Sequence, residues 1–180
     1  SQSDIIILVE PSGYGNDVWA YDVNSNTMTQ KSDSPSNLDA DKVLSYYDKE
    51  SDRGILVEYA TNTGLDVYSY DYNLDTWTQM TDRTPSIDFQ DGAAYYDYES
   101  DRGVFYQRGD GNNYQRVYSY DFNSDTWFEQ SEQPSNLVLR YAGFAVFDSD
   151  SSKAVLIEKS GDVYHYDHGD SVPEVIITAS

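Results

Sequence analysis

Two short runs in this chain carry the donor set that a hard cation needs. Asp71-x-Asn73-x-Asp75 and Asp121-x-Asn123-x-Asp125 place side-chain oxygens at alternate positions, as a calcium loop begins. The full loop pattern continues with a glycine sixth and a distal glutamate, whereas Thr76 and Thr126 hold the sixth place here. The same residues also build an Asx-type hairpin turn that needs no metal, and so do Asp48 to Asp52 and Asp148 to Asp150. Calcium is the one cofactor these runs suggest; otherwise none is expected. A second set is Glu10, Glu58, Gln107 and Glu158, spaced by 48, 49 and 51 residues. Around a symmetric ring they would converge on an axis and hold a cation or a basic partner group. Arg108 and Lys159 beside them would equally neutralise them as local ion pairs. His165 and His168 offer two imidazoles with no cysteine near, too few ligands for a zinc centre. No Gly-rich phosphate loop, zinc motif or serine elbow is present, and no nucleophile, base and oxyanion stabiliser converge. Abundant carboxylate pairs would suit a glycosidase, yet each acid has a turn to explain it. Binding rather than catalysis is the expected chemistry.

The elements that must position these residues repeat. Val67-Tyr-Ser-Tyr-Asp-Tyr-Asn-Leu-Asp-Thr-Trp77 returns as Val117-Tyr-Ser-Tyr-Asp-Phe-Asn-Ser-Asp-Thr-Trp127. Val18 to Met28 is a weaker copy, and Val163 to Asp167 a truncated one. Asp22, Asp71, Asp121 and Asp167 stand 49, 50 and 46 residues apart. A period near fifty residues signals stacked copies of one supersecondary unit. Each full unit reads as four short strands between polar turns: 43–47, 54–59, 66–71 and 76–80 in the second, 93–97, 103–107, 116–121 and 126–130 in the third. The fourth unit begins 144–148, 154–158 and 162–167. Units run over about 1–34, 35–84, 85–133 and 134–180, with Pro35, Pro85 and Pro134 at the crossings. No apolar pattern follows the helical period, so helix content should be close to nil. Four-stranded units repeated radially predict an all-β propeller of about four blades in one domain.

Composition narrows the partners. The 180 residues include 32 acids against 11 bases, a net charge of −21, and Asp supplies 24 of the acids. Asp favours turns where Glu favours helices, so the bias itself fits a loop-rich β protein. Such a field repels nucleic acid and anionic membranes and attracts cations or basic partners. It suits an extracellular or cell-surface prokaryotic setting, or the cytoplasm of a halophile, where counterions screen the repulsion. There is no cysteine, hence no disulfide, and no apolar run long enough to span a membrane. Eighteen tyrosines and three tryptophans describe a folded, aromatic-rich protein. Most recur at strand positions and read as packing; Tyr14, Tyr114 and Phe128, which the repeat does not require, are candidates for ligand contact.

The chain resembles the kelch repeat. Tyr70 with Trp77, Tyr120 with Trp127, and the Tyr47-Asp48 and Tyr96-Asp97 pairs before Asp-Arg-Gly turns carry that resemblance over nearly the whole length. It departs in lacking the double glycine after the second strand, and in Met28, which stands where the tryptophan belongs. The resemblance implies a divergent kelch-like propeller. Galactose oxidase shares that propeller type, but its copper chemistry needs a cysteine-linked tyrosine that this chain cannot form.

The ends set the functional expectation. The first unit opens on a second strand, Ile5 to Glu10, and a spare apolar segment runs from Val172 to Ser180. That tail would complete the first unit or serve as the fourth unit's outer strand. If Val175, Ile176, Ile177 and Thr178 were donated to Ile5, Ile6, Ile7, Leu8 and Val9 of a neighbour, the chain would build a filament. Self-association or another protein is therefore the expected partner. A glycan is the alternative ligand, and a fragment of a larger propeller enzyme the alternative identity.

Overall fold

The protein is seen here in a computed structural model that describes residues 4–10, 16–35, 38, 42–60, 64–80, 92–107, 116–132, 143–157, 161–166 and 174–177. Every regular element among them is a strand, and the strands form four antiparallel sheets in chain order. The first sheet holds three strands, β1 (Ile5–Val9), β2 (Val18–Asp22) and β3 (Thr27–Lys31). The second holds β4 (Val43–Asp48), β5 (Arg53–Ala60), β6 (Gly64–Asp71) and β7 (Thr76–Gln79). The third holds β8 (Ala93–Asp97), β9 (Arg102–Gln107), β10 (Arg116–Asp121) and β11 (Thr126–Glu132). The fourth holds β12 (Phe144–Asp148), β13 (Lys153–Ile157), β14 (Val163–Tyr166) and β15 (Glu174–Ile177). Within each sheet the strands lie side by side in sequence order. The β5–β6 hairpin is longer than the pattern implied, because Tyr59↔Leu65 and Ala60↔Gly64 extend the ladder.

One turn device closes the hairpins. In β6–β7, Asp71 Oδ1 accepts from the Asn73 and Leu74 amides, 2.9 and 3.0 Å away, which starts the turn. Asp75 ends it at φ 55°, a left-handed conformation that Asp and Asn tolerate better than other side chains. Its carboxylate then accepts the Tyr70 hydroxyl at 2.7 Å. The same tyrosine-to-residue-five-on bond links Tyr120 to Asp125 at 2.6 Å, Tyr96 to Asp101 at 2.5 Å and Tyr21 to Asn26 at 2.7 Å. The repeated Tyr-Asp motif thus builds its own turn.

The core lies between sheets. Tyr118 and Tyr120 of β10 face the second sheet, whereas Val117 of the same strand faces the fourth, so both faces of the strand are buried. Ile55, Val57, Leu65 and Val67 meet Tyr96, Phe105, Tyr118 and Tyr120 in one cluster. Ala93, Tyr95, Val104 and Tyr106 meet Ala145, Ala154 and Leu156 in the next. Each fully buried large side chain of this kind contributes about 1.5–3 kcal/mol. Contact passes from β4 to β8 to β12, the leading strands of successive sheets. Among the described residues, no strand of the fourth sheet packs on a strand of the first beyond an isolated contact.

The tail takes the second of its two expected places. β15 pairs with β14, with Tyr164↔Val175 and His165↔Glu174, and forms the outer strand of the fourth sheet. It does not complete the first sheet. The physical reason is proximity along the chain: a short connection closes a local hairpin at small entropic cost, whereas reaching β1 closes a loop of the whole chain. Thr178 lies outside the described residues.

Candidate interaction site at the edge of the first sheet

The carboxylates that looked like metal donors are committed to turns. Asp71 also bridges Arg53, Nη2 to Oδ2 at 2.8 Å, and Asp75 additionally accepts the Ser32 amide at 3.0 Å. The Tyr70 hydrogen bond, then that of Ser32, holds the Asp75 carboxyl below the usual carboxylate range. Asp52 is lowered in the same way by Tyr47 and Asn73. Among the described residues, no three His, Cys, Asp or Glu side chains gather where they would hold a metal ion.

The four-membered ring of acids resolves into unlike positions. Glu58 is buried within β5, Glu10 is exposed just past β1, and Gln107 is half-buried at the end of β9. Glu158 lies outside the described residues, as do Arg108, Lys159, His168, Tyr14 and Tyr114. His165 sits on β14, and Phe128 lies under the Arg102 guanidinium at 4.2 Å, a cation–π contact internal to the sheet. Phe128 is therefore a packing residue.

The feature the structure does bring together is the edge of β1. This strand pairs with β2 through five residues, Ile5↔Asp22 to Val9↔Val18, and has no partner on its other side among the described residues. Ile6 and Leu8 are 48% and 46% exposed, while Ile5, Ile7 and Val9 are half-buried. A cleft of about 730 Å³ opens between β1 and the second sheet. Ile7, Val9, Leu38 and Leu56 line its apolar floor, Tyr47 and Gly54 its far wall, and Asp4, Glu10 and Asp52 also border it.

The outer side of this interface is closed. Lys31 Nζ lies 4.3 Å over the Tyr72 ring, Trp77 Nε1 donates to Ser32 O at 3.4 Å, and Val9 packs on Leu38, Leu56 and Tyr68. The inner side is open because, among the described residues, the first sheet has no strand corresponding to β4, β8 and β12. Tyr47 shows the consequence. Its ring is 52% exposed, whereas Tyr96 at the equivalent position of β8 is 7% exposed. Partial burial, followed by its hydrogen bond to Asp52, raises the Tyr47 hydroxyl to about 12. Sequence reasoning named Ile5, Ile6, Ile7, Leu8 and Val9, but missed Tyr47 and Gly54. The available signal was that Ile6 stands where the later repeats carry Gly54, Gly103 and Ala154.

Four successive antiparallel sheets, the second to fourth packed through their leading strands, define a β-propeller, the class expected from the repeats. Among solved structures the chain is similar to TolB from Acinetobacter baumannii, with a TM-score of 0.61 at 15% sequence identity. The match covers 95% of this chain and 40% of that one, so the chain spans well under half of the TolB chain. At this identity the likeness shows the propeller fold and nothing finer. No protein-family model and no curated protein matches the chain. Among the described residues no helix is long and apolar enough to cross a membrane.

Proposed function

We propose that the chain is a non-catalytic interaction module of kelch-like type that binds a partner protein by accepting an extended strand on the free edge of β1. The observation behind this reading is an apolar strand bonded on one side only, beside an open cleft. Strand addition supplies main-chain hydrogen bonds for affinity and alternate side-chain pockets for specificity. The kelch reading is supported by the Tyr-Asp motif, whose tyrosine closes the hairpin in each of the first three sheets. The non-catalytic reading is supported by the turn duties of Asp52, Asp71, Asp75 and Asp125.

Filament assembly through donation of residues 174–177 to a second copy is the narrower form of this reading. It requires β15 to leave β14, and it brings two chains of net charge −21 together, so only high salt would favour it. A glycan stacked in the cleft is weaker still, because Trp77 is packed on Tyr70 at 4.7 Å and Tyr72 lies under Lys31. In this reading the module works in an extracellular or cell-surface prokaryotic setting or a salt-rich one, which the acidic composition supports.

Hydrogen exchange tests it. Peptide ligands selected from a random library of extended sequences should slow exchange at amides of residues 5–9. Ligands that protect only other surfaces, or a library that yields no protection of β1, would sink the strand-acceptor reading.

A further inference from the structure

The repeated sheets reveal what residue the cleft is shaped to receive. With the aspartate that ends each leading strand counted as the sixth residue, the fourth residue of β4 and of β8 reaches across to the next sheet. Tyr46 of β4 stacks on Tyr96 of β8 with ring centroids 6.0 Å apart and planes 7° from parallel. Tyr95 of β8 stacks on Phe147 of β12 at 6.0 Å and 5°. Tyr46 also covers Gly103: a methyl group built there would stand 2.1 Å from Tyr46 Cε1. In both cases an aromatic at the fourth position rests on an aromatic at the fifth position of the following sheet. In the Tyr46 case a glycine makes room for it.

The second sheet carries the same receiving surface, and no described residue occupies it. Tyr47 is its fifth-position ring and is half exposed. Gly54 is its glycine, and a methyl group there would meet only Tyr70 Cβ, at 3.8 Å. Both residues line the cleft beside β1. The register of β1 fixes where a strand must lie to use them. Ile7↔Ala20 corresponds to Ile55↔Ser69, and Ile55 pairs with Tyr46 on the other side. A strand antiparallel to β1 therefore sets its fourth residue opposite Ile7, facing Tyr47 and Gly54.

From this geometry we infer that the cleft is a sequence-selective socket for a basic, extended strand of a partner protein, with an aromatic fourth residue seated between Gly54 and Tyr47. The inference rests on the strand-acceptor reading and adds the specificity. The fifth residue of the strand is small. Tyr47, Tyr96 and Phe147 stand opposite Gly54, Gly103 and Ala154, but the corresponding place on β1 is filled by Ile6. The first and sixth residues are basic, because the first would stand opposite Glu10 and the sixth opposite Ile5, next to Asp4. Charge also selects the source. An acidic second copy is disfavoured, and residues 174–177 offer no aromatic at all.

The test uses the synthetic peptide Lys-Leu-Ser-Tyr-Ala-Lys, whose six residues fill the six positions, and its counterpart with the tyrosine replaced by alanine. Affinity is read by calorimetry, and location by hydrogen exchange of residues 5–9. The tyrosine peptide should bind about tenfold more tightly, as befits an aromatic anchor in a central pocket. Gly54→Leu, which fills the seat, should abolish that preference, and Tyr47→Ala should reduce it should the glycine variant fail to fold. Equal affinity of the two peptides, with β1 protected by both, would overturn the aromatic socket and leave the strand acceptor standing. Failure of both peptides to protect β1 would overturn both.

Discussion

The interface between the second and third sheets and that between the first and second are made from the same repeat and end in opposite states. In the former, Tyr46 lies on Gly103, stacks on Tyr96 and meets Phe105 edge-on at 5.7 Å, within a cluster of nine buried residues. In the latter, Gly54 and Tyr47 present the same surface to a cleft, and among the described residues Leu38, Leu56 and Tyr68 form the buried cluster. The difference lies in neighbours rather than in residues. A tyrosine and a glycine make a sealed joint when a leading strand covers them and line an open cleft when no described strand does.

The comparison breaks most visibly if Tyr46 is removed. Tyr46→Ala should cost about 3–5 kcal/mol in denaturant unfolding, the range for deleting a packed aromatic, while Tyr47→Ala should cost less than about 1 kcal/mol. Equal losses would mean that the two interfaces are alike. Next in size are the glycines. Gly103→Ala forces a methyl group into the Tyr46 ring, which is itself held by Tyr96 and Phe105, and should cost about 1–3 kcal/mol. Gly54→Ala meets no close atom and should change stability by no more than about 0.5 kcal/mol.

Hydroxyl deletions sharpen the picture at smaller scale. Tyr120→Phe removes one hydrogen bond to Asp125 and should cost about 1 kcal/mol. Tyr46→Phe should be neutral or slightly stabilising, since the buried Tyr46 hydroxyl has no hydrogen-bond partner among the described residues. A loss comparable to that of Tyr120→Phe would show that the Tyr46 hydroxyl is satisfied after all.

The smallest effects appear in pH dependence. The Tyr47 pKa is raised in the folded state to about 12, so its contribution is complete below about pH 10 and is lost as pH climbs toward 12. Tyr96 and Tyr120 are raised further, mainly by burial, and add to the same alkaline loss. Asp75 and Asp52 are lowered, so their contribution holds above about pH 4 and fades as pH falls below it. Melting temperature should therefore fall in alkali less steeply for Tyr47→Phe than for the parent. Parallel curves would detach Tyr47 from that limb.

Much of this was legible from residues that act locally. The Tyr-Asp-x-Asn-x-Asp run writes its own hairpin, because the first carboxylate accepts amides two and three residues on and the last accepts a tyrosine five residues back. Strand boundaries were nearly right for the same reason, except where Gly64, at φ 108°, lets the β5–β6 ladder extend. The acids at the ends of the second strands were less readable. Equal spacing made Glu10 and Glu58 look equivalent, but one is exposed and the other buried, since β4 covers β5 and no described strand takes that place on β1.

The sequence by itself determined that this is an all-β protein of about four repeated sheets, that the aspartates of its Tyr-Asp motifs stand where turns need them, and that β1 and the tail are the odd pieces. Those properties follow from hydrogen bonds and side-chain alternation within a few residues, which any copy of the repeat can satisfy alone. Only the tertiary structure decided that the tail joins β14, that β1 keeps a free edge among the described residues, and that Tyr47 rather than Tyr96 is left open. Those outcomes depend on which distant strand comes to lie alongside, and repeats of nearly the same sequence acquire different roles because their neighbours in space differ.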